Sequence, residues 1–190
     1  QGDLWSARLL CDRLGALREA SRAHANMAEM IPVSIGGEYE LRYLRLDDFP
    51  KGYAPLLAQL TDVGGLNEDS FAEVFTMRQQ QASVYRTLVI EHLESQRMVA
   101  TGTLVIEAKF VHGGSRVGHV EDIVVDDEHR KKGLARELLS ALAEEARKTG
   151  CYKVILDCNE KNVAFYEKCG YRACERQMRL DIPHDGPTSP

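Results

Sequence analysis

The sequence lacks the long apolar segment that a membrane-spanning helix needs, and its first residues do not follow the pattern of a secretory signal. It also lacks C-x-x-C spacing, since its five cysteines stand at positions 11, 151, 158, 169 and 174. An odd, scattered set favours reduced thiols over a disulfide framework or a zinc site. We therefore expect a cytoplasmic protein that has no membrane segment and holds no metal.

An excess of basic residues is missing as well. The chain of 190 residues has 24 Lys and Arg against 29 Asp and Glu, which gives a formal net charge of -5. Binding to nucleic acid needs a basic surface, so we expect no nucleic acid partner. A hydrophobic content of 44% is sufficient for the core of one globular domain.

The chain divides into three parts by pattern. Residues 1–38 combine spaced leucines with arginines, which predicts an N-terminal extension that is either helical or partly disordered. Gly36 and Gly37 mark a break before the predicted domain, residues 39–182. Residues 183–190 are expected to form a flexible tail.

The most informative stretch runs from His119 to Arg147. Its first part is rich in β-branched residues, which predicts a strand covered on both faces. Its last part, from Leu134, has apolar residues at helical spacing. Between them Arg130–Ala135 places three cations and a glycine at the start of a helix. Because first-turn N–H groups lack intrahelical partners, this turn is expected to bind an anion such as a pyrophosphate.

The other elements follow from alternation and from turn and cap residues. The expected order is β-α-α-β-β-β-α-β-α-β, which indicates an α/β fold with a mixed, mostly antiparallel sheet and helices on both faces. The predicted strands cover residues 39–46, 84–92, 98–106, 120–125, 152–158 and 171–182. The predicted helices cover residues 50–60, 67–80, 134–147 and 162–170.

This order and two motifs resemble the GNAT superfamily of acetyl-CoA-dependent N-acetyltransferases. Arg130–Ala135 fits the cofactor motif Q/R-x-x-G-x-G/A, and Asn162–Tyr171 is similar to the superfamily's N-x-x-(x)-F-Y-x-x-x-G-F/Y helix. Within the superfamily, several segments resemble the glucosamine 6-phosphate N-acetyltransferase family: Leu60–Gly64, Phe110–His112, Val120–Val125 and Gly150–Val163.

The resemblance implies a fold, a reaction and partners. The fold is the GNAT acyltransferase fold, whose central strands are splayed. The reaction moves the acetyl group of acetyl-CoA to the amine of D-glucosamine 6-phosphate by direct attack in a ternary complex. Its products are CoA and N-acetyl-D-glucosamine 6-phosphate, a precursor of UDP-N-acetylglucosamine. No metal takes part, and the implied assembly is a homodimer with its sites near the subunit interface.

The resemblance also implies the cofactor contacts. The pantetheine arm would bind backbone groups of Ile123, Val124 and Val125, with the N–H near Ile123 as oxyanion donor. The pyrophosphate would bind at Arg130, Lys131, Lys132, Gly133, Leu134 and Ala135. Asn162 would hydrogen-bond the arm, and Tyr166, one helical turn later, would protonate the departing sulfur. Core packing is the alternative for Val124, Val125 and Tyr166.

Three acids are implied to serve the amino sugar. Glu121 and Asp122 are neighbours on a strand, so their side chains should point to opposite faces unless the strand bulges. Asp157 would contact the sugar and hold a water. The amine's proton then has three possible acceptors: a backbone carbonyl near Glu121, the Asp122 carboxylate, or the water at Asp157.

The sugar phosphate needs polar and cationic partners. The resemblance places Thr61, Lys109, His112, Tyr152 and Lys153 around the substrate. The family ends its last strand with a basic residue that reaches the substrate of the partner subunit, but Asp181 occupies that position in this chain. Arg179, two residues earlier, would serve if the strand bulges or shifts register.

Two other functions fit the same motifs. A GNAT enzyme for protein lysine or polyamines would have a long acidic cleft, whereas Lys109, His112 and Lys153 favour an anionic substrate. A non-catalytic CoA-binding regulator would not need Tyr166 or Asp157, and both are present. A thiol nucleophile at Cys158 with His129, or a metal site at His119 with Glu121, is weaker, since GNAT transfer is direct and no third ligand has suitable spacing.

Overall fold

The computed structural model describes residues 32–182. The predicted tail lies outside the described residues, as does the predicted extension up to residue 31. The chain divides into two compact units, of which the first ends at Leu156 and the second begins at Asp157.

The first unit is built on a six-stranded sheet. Its strands run in chain order: β1 (Val33–Ile35), β2 (Tyr39–Tyr43), β3 (Tyr85–His92), β4 (Arg97–Ala108), β5 (Arg116–Val125) and β6 (Cys151–Ile155). The first five strands pair antiparallel, and β5 and β6 pair parallel. The predicted mixed, mostly antiparallel sheet is therefore confirmed. β1 was not predicted, since its three residues were assigned to the extension.

Helices cover both faces of this sheet, as the sequence predicts. The first unit contains α1 (Tyr53–Ala58), α2 (Glu68–Gln80) and α3 (Leu134–Lys148). Gly102 of β4 faces Leu138 and Leu142 of α3, whereas the Thr101 hydroxyl lies 3.5 Å from the Tyr53 hydroxyl of α1. Successive strand residues point to opposite faces, so α1 and α3 lie on different sides. None of the helices among residues 32–182 combines the length and apolar character needed to cross a bilayer.

The core is divided by the sheet into two halves. On the side of α1 and α2, one cluster joins buried residues from helices and strands: Leu44, Tyr53, Leu56, Phe71, Val89, Met98 and Val124. On the other side α3 buries its apolar face, which consists of Leu134, Leu138, Leu139, Leu142 and Ala146. The amphipathic spacing of α3 explains why this helix packs lengthwise on the sheet.

A buried ion cluster fixes the segment between β2 and α1. Arg42, 1% exposed, donates two hydrogen bonds of 2.7 Å to Asp48 and one of 2.5 Å to Glu91. Burial alone would raise the pKa of Asp48, but hydrogen bonds from Arg42 and from the Arg45 N–H leave that pKa below its usual value. The cluster thus depends on an ionised Asp48.

The second unit contains α4 (Val163–Lys168), preceded by a single 3-10 turn at Glu160–Asn162. The predicted last strand at residues 171–182 is wrong, since this segment is irregular. Its alternating apolar side chains are exposed: Met178 by 91%, Leu180 by 83% and Ile182 by 66%. A strand needs a neighbour for its backbone groups, and no strand among residues 32–182 pairs with this segment.

Candidate active site

The central feature of the site is a bulge in β5. Thr101 is opposite Val124 and Thr103 is opposite Glu121, so two residues of β5, Asp122 and Ile123, stand opposite the single residue between the threonines. Asp122 takes a left-handed conformation with a φ of 54°. One extra residue on one strand with a local reversal of φ is the geometry of a β-bulge.

The bulge places both acids of β5 on the same side of the sheet. Glu121 shares a face with its cross-strand partner Thr103, whose hydroxyl accepts a hydrogen bond from Arg78 of α2. Asp122 lines a cavity on that side, and both acids are exposed. Ile123 instead packs over Gly102 toward α3. The condition under which the acids can act together, a bulged strand, is therefore met.

The cavity beside Asp122 lies between α1, α2 and the sheet and has a volume of about 120 Å³. Its wall is mostly aromatic and aliphatic, including Tyr53 and Phe71, with Arg78 and Asp122 as charged groups. Arg78 donates to the hydroxyls of Thr87 and Thr103 at 3.3 Å. Burial raises the pKa of the Tyr53 phenol. Arg78 and Tyr53 were not predicted from the sequence, because no local motif connects α1 and α2 with β5.

The central strands separate beside the bulge, as predicted. Pairing between β5 and β6 runs from Arg116 with Cys151 to His119 with Ile155 and extends no further. β5 continues to Val125, so its last six residues have no partner on β6. Their backbone groups on this edge are placed to bind an extended arm by hydrogen bonds. The Val124 side chain is 5% exposed and belongs to the core, so a ligand contact there would use its backbone.

The loop between β5 and α3 is fixed by contacts of Gln59 and Arg130. The Gln59 side chain at the end of α1 donates to the Asp126 carboxylate at 2.7 Å and accepts from the Asp127 N–H at 2.9 Å. Arg130 donates through Nε to the carbonyl of Val125 at 3.2 Å and pairs with Asp127. Gln59 was not identified from the sequence, since its contact with the loop spans 67 residues.

The residues predicted to form a phosphate cradle lie at the start of α3. Gly133 is the N-cap residue with a φ of 85°, and Lys131 is also left-handed with a φ of 64°. Leu134 is buried and Ala135 half-buried, whereas Arg130, Lys131 and Lys132 are exposed. A helix start, where the first N–H groups have no i−4 partner in the helix, together with three exposed cations fits a diphosphate. Lys132 also donates to the Tyr39 hydroxyl at 3.0 Å, which raises the pKa of the lysine.

Three of the residues predicted to bind the sugar phosphate lie together, and the other two lie elsewhere. The His112 ring contacts the Tyr152 ring at 4.9 Å, and the Lys153 ammonium lies 5.6 Å from the centre of the same ring. Thr61 is exposed in the turn after α1. Lys109 belongs to another cluster, in which Glu107 bonds the Lys109 ammonium at 2.6 Å and the His119 ring at 2.9 Å. These two hydrogen bonds, in that order, lower the pKa of Glu107.

The second unit carries the remaining predicted residues. Asn162 is the N-cap of α4, and its side chain makes no capping hydrogen bond. Tyr166 is half-buried, with the rings of Phe165 and Tyr171 at 5.2 and 5.9 Å. Burial, followed by the nearby Cys158 and Cys169, raises the pKa of the Tyr166 phenol, so the phenol keeps its proton at neutral pH. Asp157 is exposed.

Arg179 is already paired. Its guanidinium donates to the Asp181 carboxylate at 2.7 Å, and both side chains are largely exposed. Asp181, at the position where the resemblance implied a basic residue, thus pairs with the nearest cation in sequence. An exposed pair of this kind is weak and can be exchanged for another anion.

Comparisons with known proteins agree with this geometry. The model of the acetyltransferase (GNAT) family matches residues 41–171. The glucosamine 6-phosphate N-acetyltransferase of Trypanosoma brucei brucei is 44% identical over 145 residues, which are 76% of this chain and 97% of that protein. The enzyme of the same name from Candida albicans is 41% identical over 134 residues, or 70% and 89% of the two chains.

Solved structures give the same result. The crystal structure of glucosamine-6-phosphate N-acetyltransferase from Arabidopsis thaliana superposes with a TM-score of 0.75 at 36% identity, covering 76% of this chain and 99% of that one. A Trypanosoma brucei acetyltransferase superposes with a TM-score of 0.71 at 43% identity, covering 76% and 100%. The chain is therefore a member of the GNAT acetyltransferases, and within them of the glucosamine 6-phosphate N-acetyltransferase family.

Proposed function

We propose that the protein transfers the acetyl group of acetyl-CoA to the 2-amino group of D-glucosamine 6-phosphate. The observation that carries the proposal is the bulge at Asp122 and Ile123. It allows one strand to bind both the amino sugar and the arm of the co-substrate. It turns Glu121 and Asp122 toward one face as acceptors for a polyhydroxylated amine. The next residues of the strand run along the open edge beside β6.

The open edge and the cradle suit the two ends of acetyl-CoA, which supplies an activated acetyl thioester. Backbone groups of Ile123–Val125 would hydrogen-bond the pantetheine arm, as main-chain groups do with an added strand. The helix start at Arg130–Ala135 would bind the pyrophosphate. Asn162, whose side chain is not used for capping, would donate to the arm.

The chemistry assigned to this chain is direct acyl transfer. The amine must be neutral to attack, and its proton would pass to the Asp122 carboxylate, to a backbone carbonyl near Glu121, or to a water held by Asp157. The N–H of Ile123 or of its neighbour would stabilise the oxyanion. Tyr166, which keeps its proton because its pKa is raised, would donate to the sulfur as the thiolate departs.

Recognition of the sugar phosphate is proposed for the cationic and polar residues outside the bulge. His112 and Lys153 meet at the Tyr152 ring, and Lys109 and Thr61 would complete the set. The pairing of Lys109 with Glu107 reduces the positive charge that this lysine offers. N-Acetyl-D-glucosamine 6-phosphate, the expected product, would then enter UDP-N-acetylglucosamine synthesis.

We further propose a cytoplasmic homodimer. The exposed, alternating apolar side chains of residues 178–182 are suited to pairing as a strand with a second copy, and Arg179 would then approach the substrate of that copy. The cytoplasmic location rests on the cysteines, since Cys151, Cys158, Cys169 and Cys174 are free thiols.

The test is a comparison of acetyl acceptors. Release of the CoA thiol from acetyl-CoA would be followed with glucosamine 6-phosphate, unphosphorylated glucosamine and a lysine peptide in parallel. We expect turnover with the sugar phosphate, a much higher KM for glucosamine and no turnover with the peptide. Equal rates for the two sugars would contradict the proposed phosphate site. Turnover with the peptide alone would mean that the protein is a protein acetyltransferase.

A further inference from the structure

Three aromatic side chains from distant parts of the chain meet beside the cradle. Tyr39 of β2 lies opposite His92 of β3 in the sheet register, and their ring centres are 5.2 Å apart. His129, in the short 3-10 turn before the cradle, lies 5.7 Å from the Tyr39 ring and 5.0 Å from the His92 ring. The ammonium of Lys132 completes this group, which we call the Tyr39 cluster.

The Tyr39 hydroxyl makes two hydrogen bonds in the Tyr39 cluster. An ammonium group has only donors, so Lys132 must donate to the Tyr39 oxygen at 3.0 Å. The Tyr39 hydroxyl also shares a hydrogen bond with Nδ1 of His129, which is 3.1 Å away, and the tautomer of His129 sets the direction of that bond. Burial, Lys132 and His92 lower the pKa of His129 in that order, which agrees with a neutral ring.

This arrangement connects an exposed loop to a rigid element. Tyr39 is 4% exposed and is paired with strands on both sides, with Ile35 of β1 and with His92 of β3. Lys132 by contrast is a long, flexible side chain at the surface. Its hydrogen bond to a fixed phenol restricts its rotamers before any ligand arrives, which lowers the entropy lost on binding. Two ammonium N–H groups stay available for an anion.

We infer that Tyr39 is a positioning residue of the cofactor site, which orients Lys132 and His129 toward the phosphates of the co-substrate. The inference rests on the proposed function, because it takes the cradle to be the place where the pyrophosphate binds. Tyr39 lies outside both sequence motifs and belongs to a strand that the motifs do not include. Its part in binding follows only from the contact with Lys132.

The test uses Tyr39→Phe, which keeps the ring packing on His92 and His129 and removes the hydroxyl. We expect the KM for acetyl-CoA and the Kd for CoA to rise about three- to tenfold, as the loss of one hydrogen bond predicts. The kcat and the KM for glucosamine 6-phosphate should change less than twofold. With S-acetylpantetheine, a thioester without the pyrophosphate, wild type and variant should be equal.

Two further variants, Lys132→Met and Lys148→Met, separate a positioning role of Tyr39 from an effect on general stability. Lys132→Met should reproduce the rise in KM, and Tyr39→Phe should add nothing further in the Lys132→Met background. Lys148→Met removes a lysine at the opposite end of α3 and should leave the KM for acetyl-CoA unchanged. An unchanged KM in Tyr39→Phe, equal losses with both thioesters, or additive effects of the two variants would overturn the inference.

The wild-type protein tells the two proposals apart. If it binds CoA but does not acetylate the sugar phosphate, the proposed function is wrong, and the Kd for CoA of Tyr39→Phe still decides the inference. If it does not bind CoA, both are wrong. If it acetylates the sugar phosphate and Tyr39→Phe binds CoA as well as wild type does, the inference alone is wrong.

Discussion

Gly102 of β4 and Ile123 of β5 are in direct contact across neighbouring strands: a Cβ atom added to Gly102 would lie 2.3 Å from Cδ1 of Ile123. Real Cβ contacts essentially never come so close, so the glycine leaves the space that the bulged strand needs for this side chain. The position of Asp122, one residue before Ile123, therefore depends on the absence of a side chain at Gly102 in the neighbouring strand.

Gly102→Ala should disturb the bulge. The added methyl group must displace Ile123 or the nearby Leu142, which costs about 1–3 kcal/mol of stability by overpacking. We also expect a fall in kcat, since Glu121 and Asp122 lose their common orientation. Chemical denaturation and steady-state kinetics measure the two effects. The double variant with Ile123→Val, which removes Cδ1, should recover part of both, and no recovery would contradict the steric explanation.

Tyr166→Phe should lower kcat much more than it raises the KM for acetyl-CoA. Removal of a proton donor to the leaving thiolate is expected to cost about 10²-fold or more in kcat. Because the pKa of Tyr166 is raised above its usual value, ionisation of the phenol should not reduce wild-type activity below about pH 10. Equal losses in kcat and cofactor affinity would mean that the ring only positions the cofactor.

Asp48→Asn should destabilise the protein at neutral pH by about 3–5 kcal/mol, because it leaves Arg42 in a buried site with one carboxylate fewer. The folded-state pKa of Asp48 is lowered, so its contribution is present above its unfolded pKa and disappears as the pH falls through the folded value. The difference between variant and wild type should shrink in acid. Urea unfolding at neutral and acidic pH measures it, and a difference independent of pH would contradict the account.

Leu180→Glu should convert the proposed dimer into a monomer. A charge in place of an exposed apolar residue, 83% exposed, opposes strand pairing with a second copy. Leu93→Glu is the matched control, since Leu93 is an exposed leucine after β3, 45% exposed. Sedimentation velocity measures the mass. A wild-type monomer, or a dimer that survives the substitution, would contradict the proposed assembly.

Local patterns were enough for most of the fold. The helical spacing of apolar residues in α3 and the β-branched run before it predict the strand, turn and helix correctly, because both signals depend on neighbouring residues. Alternation failed at residues 171–182, since it records an apolar face but not the strand that would cover it. Leu180 is exposed, and no strand among residues 32–182 pairs with its segment.

The candidate site was predictable only where its residues form motifs. Arg130–Ala135 and Asn162 belong to such motifs. The bulge depends on the register between β4 and β5. The sequence therefore indicates that a bulge would bring Glu121 and Asp122 to one face, but not whether the strand is bulged. The contacts of Lys132 with Tyr39 and of Asp126 with Gln59 span 93 and 67 residues, and neither leaves a local signal.

The central claim is that this chain forms an amide on the nitrogen of an amino sugar phosphate. The most direct measurement is analysis of the product by carbon-13 NMR after incubation with acetyl-CoA labelled at the acetyl carbonyl and glucosamine 6-phosphate. The account predicts labelled amide carbonyl signals for the two anomers of a product acetylated on the C2 nitrogen, which forms together with an equal amount of CoA. Label that stays in acetyl-CoA, appears only as acetate, or becomes attached to the protein would contradict it.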